Sequence, residues 1–554
     1  MLTSVLAACG DKSSEQKGSS DSKSTAADPV ESLTAEKSTD KYRSYYQVWI
    51  GAFNDSNDDK IGDIPGIIEK LDYINDGDPN SGDDLGADGI WLSPMMPSST
   101  YHKYNVEDYY NIDPDFGTLD DFDKLLKECH DRGVVVIIDL VVNHAGADHE
   151  YFQKACDEIR AGKTDGYAKY FNFSKTQDAV YQHPVSGSDY YYQGDFWDQM
   201  PDWNLSYDGT RKYFEDVVKF WLDRGVDGFR LDAVKYFDDD NTDGPEFMKW
   251  FYDMAKGYKE DVYMVGEDWT DVNSDIYEMY ETGIDSLFNF KFANNGGEYM
   301  TAASAIGEFA KKLQKYDNNI KEHNENAINA NFLTNHDMNR LGSMVYEDEN
   351  KQLAALYMLS PGNSFTYYGE EIGIETEGQD DKYKRTAMVW DSDNLPEILT
   401  EGVGAEDTAP LGGVKQQLDD ENSLLNTYRK LIKIRMQNPE IARGNITELA
   451  SFNDSDCAGY IIDYNGSRVM IIHNVSDNDK ELTIDMIDSP ELRGWTVAKE
   501  KSAGISAELD GTTLKLPAKT SVVHQENKYT VTVRQKRPLI DSAGAVFSAF
   551  RLFD

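Results

Sequence analysis

From residue 43 onward, short apolar runs alternate with stretches in which apolar residues recur every three or four positions. The short runs predict buried strands, and the amphipathic stretches predict helices. Such alternation is typical of βαβ units around a parallel sheet, and eight strands predict a (β/α)8 TIM barrel over residues 43–440. The candidate strands are residues 45–50, 88–94, 134–142, 226–234, 262–269, 285–292, 329–337 and 363–371, and the clearest helices are residues 119–132, 211–224, 245–258 and 422–437.

Two regions depart from the barrel pattern. Residues 145–209, rich in Tyr, Asp and Gly, are far too long for a simple connection after the third strand, so they predict a small inserted domain. After about residue 440, short alternating runs are separated by Gly, Asn, Asp and Ser, which predicts a C-terminal antiparallel β-sandwich over residues 441–525. Residues 526–554 are basic and stay unassigned.

The first 42 residues lack apolar periodicity. The segment LAACG at residues 6–10 resembles the lipobox of a bacterial lipoprotein, in which Cys9 is acylated after cleavage, and the Ser-, Lys- and Asp-rich residues 10–42 predict a disordered tether. Met1 to Val5 is short and uncharged for a signal peptide, so we interpret it as a remnant. No run of 18 apolar residues occurs. We therefore expect an extracellular or cell-surface lipoprotein that meets the membrane only through its lipid.

The charge and the aromatic content of the chain limit the classes of ligand that it can bind. The chain has 54 Lys plus Arg against 100 Asp plus Glu, a formal net charge of -46, which argues against nucleic acid because cationic side chains dominate that interaction. The 34 Tyr, 23 Phe and 9 Trp suit a protein that stacks rings against sugars, although core packing explains most of them. We expect a monomer with a neutral or cationic ligand.

Charged residues lie at the carboxyl ends of four of the predicted strands, where a barrel places its catalytic groups. Taken singly, each is as well explained as a turn former or helix cap. Taken together, they must converge in one cleft, and burying several carboxylates is costly unless they are paired or used in chemistry. They are Asp139, Asn143 and His144 at the end of the third strand, Arg230 and Asp232 at the end of the fourth, Glu267 at the end of the fifth, and His336 and Asp337 at the end of the seventh.

Carboxylates around one pocket fit glycoside hydrolysis, which needs an ionised carboxylate near the anomeric carbon and a protonated carboxyl for the leaving oxygen. Arg230 lies two residues before Asp232 on the same strand face, so its guanidinium can keep Asp232 ionised as a nucleophile. Glu267 follows the apolar run VYMV, where desolvation raises its pKa towards that of a general acid.

These four segments, in this order, resemble the signature regions of the α-amylase family, the retaining α-glucoside hydrolases of glycoside hydrolase family 13, over about residues 43–525. The resemblance implies that Asp232 is the nucleophile, Glu267 the acid/base, and Asp337 a third carboxylate that binds and distorts the sugar. It also implies a substrate-binding set, which comprises Tyr104 under the sugar ring, Asp139, His144, Arg230, Lys235 and His336.

A polar loop, FNDSNDDKIGD at residues 53–63, spaces its oxygen-bearing side chains like the start of an EF-hand. Lys60 and Gly66 stand where an EF-hand needs Gly and Glu, and a solvated acidic turn is an open alternative. The resemblance implies instead a Ca²⁺ loop after the first barrel strand, with Asp55, Asn57, Asp59, Asp63 and the Ile61 carbonyl as ligands.

The resemblance also implies a second Ca²⁺, held by Asn143 and Asp202. The alternative is that Asp202 is simply a turn residue after Pro201. Family members specialised for α-1,6 bonds often carry Lys at the position of Asp202. The chain departs from the family at Tyr236, where many members have His.

The sequence therefore predicts a retaining hydrolase of α-1,4-glucosidic bonds in starch, maltodextrin or related α-glucans. An exo-acting α-glucosidase or an oligo-1,6-glucosidase of the same family is the alternative, since the loops around the cleft decide between them. A non-catalytic glucan-binding barrel is disfavoured because Asp232, Glu267 and Asp337 are all present.

Overall fold

A computed structural model describes residues 35–239, 242–293, 295–375, 378–404, 408–483, 508–510, 513–525 and 529–534. The predictions for residues 1–34, including acylation of Cys9, lie outside these ranges and stay predictions. None of the helices within the described ranges combines the length and the apolar composition that crossing a membrane requires.

The elements are numbered here in chain order. The strands are β1 (Ser44–Val48), β2 (Gly89–Leu92), β3 (Val135–Leu140), β4 (Phe173–Ser174), β5 (His183–Pro184), β6 (Tyr191–Tyr192), β7 (Gly228–Leu231), β8 (Tyr263–Gly266), β9 (Ser286–Leu287), β10 (Ala330–Phe332), β11 (Asn363–Tyr367), β12 (Asn445–Glu448), β13 (Cys457–Tyr464), β14 (Ser467–Asn474), β15 (Lys480–Thr483), β16 (Glu508–Asp510), β17 (Thr513–Leu516), β18 (Thr520–Gln525) and β19 (Tyr529–Arg534). The α-helices are α1 (Ile50–Phe53), α2 (Ile64–Glu69), α3 (Leu71–Ile74), α4 (Leu119–Arg132), α5 (Glu150–Arg160), α6 (Asp208–Arg224), α7 (Gly244–Tyr258), α8 (Asn273–Glu281), α9 (Phe290–Ala293), α10 (Glu298–Ser304), α11 (Phe309–His323), α12 (Glu347–Met358), α13 (Val414–Leu418), α14 (Leu424–Gln437) and α15 (Glu440–Arg443).

Eight parallel strands form the central sheet, in the order β10–β11–β1–β2–β3–β7–β8–β9. A parallel bridge between Phe288, next to β9, and Ala330 of β10 joins the two edges. The sheet therefore closes into the (β/α)8 barrel that the alternating pattern predicts, and each candidate strand is found with shorter bounds. The barrel interior is filled by aromatic rings, of which Tyr45 and Phe365 stack at 4.6 Å between centroids, so the site above stands on a rigid apolar floor.

Helix α4 illustrates why the outer layer forms where the pattern predicts it. The Thr118 side chain accepts the amide N–H of Asp121, and the Asp121 side chain accepts that of Thr118, a reciprocal cap that starts the helix. The helix stops at Gly133, whose φ of 85° is the left-handed conformation that glycine adopts without strain. Its apolar stripe of Phe122, Leu125, Leu126 and Cys129 is buried on the barrel side.

The chain between β3 and α6 forms a small lobe that stands on the barrel. It contains α5 and an antiparallel sheet in the order β4–β6–β5. Two hydrogen bonds tie the base of the lobe to the end of β3: Trp203 N donates to the Asn143 carbonyl at 2.9 Å, and Ala145 N donates to the Pro201 carbonyl at 3.0 Å. The lobe is therefore fixed beside the carboxyl end of the barrel strands.

Two antiparallel sheets follow the barrel, in the orders β12–β13–β14–β18–β19 and β15–β17–β16. Buried apolar side chains from both sheets, among them Ile461 and Leu514, share one core. Strand β19 pairs antiparallel with β18, so the larger sheet continues into the segment after residue 525 that the sequence pattern leaves unassigned. Strand β19 has the sequence YTVTVR, in which alternating Val and Thr favour a strand despite the basic residues around them.

Candidate active site

The polar residues predicted at the strand ends meet at a cavity of about 550 Å³ on the carboxyl side of the barrel. Parallel strands all end at this face, which is why residues far apart in the sequence converge here. The residues that line the cavity are His102, Tyr104, His144, Phe196, Trp197, Met200, Asp232, Ala233, Lys235, Tyr236, Glu267, Trp269, Asp337, Asp381 and Arg385. Asp139, Arg230 and His336 lie buried behind them.

Arg230 is the centre of the buried charge network. Its Nη1 donates to Asp139 Oδ1 at 2.8 Å and to Asp232 Oδ1 at 2.6 Å, and its Nη2 lies 2.9 Å from Glu267 Oε2. Asp139 and Arg230 are direct register partners on neighbouring strands β3 and β7. One guanidinium therefore holds three carboxyl groups from three strands, an arrangement suited to the rigid planar fork of Arg.

The carboxyl group of Glu267 is buried at the end of β8. Its Oε2 accepts the N–H of Ala233 at 3.1 Å as well as the contact from Arg230. Burial raises the pKa of Glu267 well above its usual value, and the attraction of Arg230 only partly offsets this. A carboxyl that keeps its proton near neutral pH can act as a general acid.

Asp139 is buried at the end of β3. Its Oδ2 accepts hydrogen bonds from the Trp91 indole and the Tyr104 hydroxyl, both at 3.2 Å. Burial raises the pKa of Asp139, while Arg230 lowers it. Asp139 is not among the residues that line the cavity, so it is placed to orient Tyr104 and Arg230 rather than to touch a sugar.

Asp337 also lines the cavity, but its partners and its protonation state differ from those of Glu267. Arg385 Nη2 donates to its Oδ1 at 2.7 Å, and His336 Nε2 lies 3.0 Å from its Oδ2. Burial acts to raise the pKa of Asp337, but His336 and Arg385 lower it below the ordinary value. Asp337 is thus held as a carboxylate, ready to accept hydrogen bonds from sugar hydroxyls.

Tyr104 and His144 both line the cavity. The Tyr104 ring stacks parallel to that of His336, with centroids 5.6 Å apart, and their hydroxyl and Nε2 are hydrogen-bonded at 2.6 Å. Neither ring nitrogen of buried His144 has a partner in good hydrogen-bond geometry among the described residues. Burial lowers the pKa of His144 to about 4, so it is a neutral donor and acceptor for a ligand.

The two predicted metal sites lie outside the cavity. In the loop that precedes α2, Asp55 Oδ1 accepts the N–H of Asn57, Asn57 Oδ1 that of Asp59, and Asp59 Oδ1 that of Ile61, each at 2.9 Å. Asp63 caps α2 by accepting the Gly66 N–H at 2.6 Å. The predicted metal ligands in this loop are all oxygen atoms, which suits a hard cation such as Ca²⁺. Within the described ranges, no three His, Cys, Asp or Glu side chains gather around a common point.

Asn143 and Asp202 join the barrel to the inserted lobe. Asn143 Nδ2 donates to Asp202 Oδ1 at 3.2 Å, and Asp195 N donates to Asp202 Oδ2 at 3.0 Å. Burial, and then the nearby carboxylate of Asp195, raise the pKa of Asp202 well above its usual value. A buried carboxylate with acidic and amide neighbours is chemically suited to a cation, and these two residues are close enough to share one.

Several cavity residues carry no site role in the sequence analysis. Arg385, in the segment RTAMVW, pairs with Asp337 although 48 positions separate them, and no strand-end pattern marks it. Phe196 and Trp197 come from the inserted lobe, whose position over the barrel the sequence does not show. Trp269 was the most accessible to prediction, since it stands two residues after Glu267.

The chain is similar to known proteins along most of its length. The family model described as alpha-amylase, catalytic domain, matches residues 47–444. Alpha-amylase 3 of Dictyoglomus thermophilum is 33% identical over 446 residues, which cover 78% of this chain and 84% of that protein. The oligo-1,6-glucosidase of Bacillus cereus is 27% identical over 518 residues, covering 77% and 89%. The solved structure of Eubacterium rectale Amy13B has a TM-score of 0.80 at 36% identity, covering 90% of this chain and 97% of that chain.

Proposed function

Because this chain belongs to the α-amylase family, we propose that it is a retaining glycoside hydrolase that cleaves α-1,4-glucosidic bonds of starch, maltodextrin or related α-glucans. The family match confirms the membership of the α-amylase family that the strand-end segments indicate. The observation that carries the proposal is the convergence of Asp232, Glu267 and Asp337 on one cavity, with Arg230 bound to the first two. In retaining glycosidases the two catalytic carboxyl groups are close neighbours, whereas in inverting glycosidases they stand about 6.5–9.5 Å apart to admit a water.

The first chemical step follows from the different surroundings of the carboxyl groups. Asp232, exposed to the cavity and oriented by Arg230, attacks the anomeric carbon. Glu267, which burial keeps protonated, gives its proton to the glycosidic oxygen as that bond breaks. The products of this step are a free leaving sugar and a glycosyl ester on Asp232.

The second step reverses these roles. Glu267, now a carboxylate, removes a proton from water, and the oxygen of that water attacks the anomeric carbon and displaces Asp232. Asp337 and His144 are placed to accept and donate hydrogen bonds to hydroxyl groups of the same sugar, and the Tyr104 ring forms the platform beside it. Interactions that strengthen as the sugar flattens lower the barrier to both steps.

The bond specificity is tested by the products of soluble starch, pullulan and isomaltose. We expect mixed maltooligosaccharides to appear early from starch, and isomaltose to remain intact. The physical reason is that the cavity is open to the surface and is lined in part by exposed aromatic rings, so a long glucan can enter it. Chromatography of timed samples provides the measurement. Glucose released from isomaltose, with no oligosaccharides from starch, would support the exo-acting 1,6-glucosidase instead.

We also infer that Ca²⁺ stabilises the loop that contains Asp55, Asn57, Asp59, Ile61 and Asp63. The support is an all-oxygen donor set in a loop already curled by three successive side-chain-to-backbone hydrogen bonds. Asn143 and Asp202 would hold a second ion between the barrel and the lobe. In both places the ion supplies structural cross-linking, and the carboxylate chemistry is carried by Asp232 and Glu267.

Chelation is therefore expected to lower the melting temperature by about 2 to 5 °C, because a ligand that binds only the folded state stabilises it by mass action. Asp59→Asn keeps the hydrogen bond to Ile61 N but removes a charge from the ligand set, so its melting temperature should respond less to chelator. Asp58→Asn is the matched control, since Asp58 is exposed in the same loop with a φ of 66° that Asn also adopts. Equal melting temperatures for the parent in Ca²⁺ and in chelator, with no heat of Ca²⁺ binding by calorimetry, would exclude the ion.

A further inference from the structure

Two adjacent basic residues, Lys384 and Arg385, hold the main chain of the segment that carries Asp337. Lys384 Nζ donates to the Asp337 carbonyl at 3.0 Å. Arg385 Nε donates to the His336 carbonyl, also at 3.0 Å. Both basic side chains are largely buried, with 16% and 4% of their surface exposed. A carboxylate can position a sugar only if its own main chain is fixed, so these two contacts bear directly on the reaction.

A further carboxylate of the cavity, Asp381, lies close to the nitrogen that holds Asp337. Arg385 Nη2 is 2.7 Å from Asp337 Oδ1 and 3.9 Å from Asp381 Oδ2. Asp381 lines the cavity but takes no part in the two chemical steps. Charge-assisted N–H···O bonds are about 2.7–2.9 Å long, so a shift of about 1 Å would bring Asp381 onto the same nitrogen.

Lys384 is placed to prevent that shift. Its Nζ lies 3.0 Å from Asp381 Oδ1 while it also donates to the Asp337 carbonyl. One ammonium group therefore joins the two residues and offsets the charge of Asp381. Without this ammonium, Arg385 would be the one cation left within 4 Å of the Asp381 carboxylate among the described residues. Loss of Lys384 would therefore draw Asp381 towards Arg385.

Arg385 is fixed in place by neighbours other than these carboxylates. Its Nη1 donates to the Tyr101 hydroxyl at 2.9 Å, and its guanidinium lies 4.6 Å from the centre of the Trp49 ring. An approaching Asp381 would therefore share Arg385 with Asp337 where the guanidinium now stands. Two carboxylates on one nitrogen repel each other, so Asp337 would be held less firmly against the sugar.

We propose that Lys384 is a positioning residue that reserves the guanidinium of Arg385 for Asp337 by holding Asp381 apart from it. The inference rests on the proposed hydrolysis of α-glucans, in which Asp337 binds hydroxyl groups of the sugar at the cleavage site. Lys384 is not among the residues that line the cavity, so it acts through its neighbours rather than on the sugar. Removal of Lys384 should slow the reaction, and removal of the Asp381 charge should reverse most of that loss.

A double-mutant cycle separates this role from a general loss of structure. In the parent, Lys384→Met should lower kcat/KM on maltoheptaose by about 10- to 100-fold, the effect expected when a group of the site moves by about 1 Å. In the Asp381→Asn background, which has no charge to move towards Arg385, the same change should cost less than about threefold. Interactions of Asp337 that strengthen in the transition state are the ones lost, so the fall should appear mainly in kcat rather than in KM.

A second substrate locates the effect within the site. α-Maltosyl fluoride presents the same kind of sugar to Asp337 as maltoheptaose does, but its leaving group is a fluoride ion. Lys384→Met should therefore lower kcat/KM on both substrates by similar factors. A loss confined to maltoheptaose would mean that Lys384 acts on the leaving group, and this would overturn the proposal.

Conservative variants and a control keep the result interpretable. Lys384→Arg retains the positive charge and should keep most of kcat/KM, and Lys384→Gln, which can still donate to the Asp337 carbonyl, replaces Lys384→Met in the cycle if circular dichroism shows that the Met variant is unfolded. Lys382→Met is the matched control, since Lys382 belongs to the same short 3-10 helix but does not line the cavity, and its ammonium lies over the Tyr383 ring. It should leave kcat/KM close to that of the parent.

The cycle has outcomes that decide against the proposal. If the change at Lys384 is equally damaging with Asp381 or Asn at position 381, or harmless with both, Lys384 does not act by holding Asp381 away from Arg385. A parent protein inactive on both substrates would instead refute the proposed function.

Discussion

Glu267→Gln is expected to lower kcat on maltooligosaccharides by about 10²- to 10⁴-fold, the usual contribution of a positioned general acid. Glutamine keeps the size of the side chain and can still meet the N–H of Ala233 and Arg230 through its amide oxygen, but it has no proton to give. A fluoride leaving group needs little protonation, so the loss in kcat/KM on α-maltosyl fluoride, which reports formation of the glycosyl ester, should be far smaller; hydrolysis of that ester still needs Glu267 as a base, so kcat on this substrate should also fall. Steady-state kinetics on both substrates measures the difference.

The pH profile gives the same assignment a second check. A general acid works only while protonated, so kcat/KM should fall as pH rises through the pKa of Glu267. Because burial raises that pKa, the alkaline limit should lie well above the pKa of about 4.3 of an ordinary Glu. On α-maltosyl fluoride, which needs little protonation, the alkaline limb of kcat/KM should be weak already in the parent, so a limb seen only with maltooligosaccharides assigns it to Glu267 as the acid.

Asp268→Asn is the matched control for both measurements. Asp268 is the next residue, is buried, and has its pKa raised to about 6 chiefly by burial, but it is not among the residues that line the cavity. Its replacement should preserve the discrimination between the two substrates. If Glu267→Gln hydrolysed maltooligosaccharides within a few-fold of the parent, another group would have to be the acid.

The barrel and the charged residues at its strand ends were predictable because both depend on local sequence patterns. A buried apolar run that ends in Asp, Arg or Glu can be recognised from the sequence as a strand with a polar carboxyl end. Because the carboxyl ends of all barrel strands meet at one face, Asp139, Arg230 and Glu267 are then expected to lie together. Strand β9 shows the limit of the pattern, since it spans only Ser286 and Leu287 where eight residues were expected. The single bridge from Phe288 to Ala330 closes the barrel, and the chain then turns into α9.

The walls of the cavity were less predictable because they arise from packing between distant segments. Arg385 reaches Asp337 only after the chain has passed through α12 and β11, and its guanidinium lies 4.6 Å from the Trp49 ring in the first barrel loop. Phe196 lines the cavity because the lobe that carries it is held on the barrel, in part by the hydrogen bond from Trp203 N to the Asn143 carbonyl. Contacts of this kind depend on the whole fold, and no spacing in the sequence encodes them.

Replacing Asp232 with Ala is expected to have the largest effect of any single change, a loss of about 10⁴- to 10⁶-fold in kcat, as seen when nucleophiles or their partners are removed from other hydrolases. Arg230 keeps its contacts with Asp139 and Glu267, so the site should remain folded, which circular dichroism can verify. Asp232→Asn, close to the same shape, should be similarly inactive.

The space left by Asp232→Ala allows a decisive test of its role. Azide that enters this space can form a bond to the anomeric carbon of α-maltosyl fluoride from the vacated face while fluoride leaves, and the product is then the β-configured maltosyl azide. Asp337→Ala should also be inactive but should give no such rescue, because Asp337 is engaged by Arg385 and His336 and does not attack. Nuclear magnetic resonance of the product distinguishes the anomers. A β-azide from Asp337→Ala, and none from Asp232→Ala, would transfer the nucleophile to Asp337.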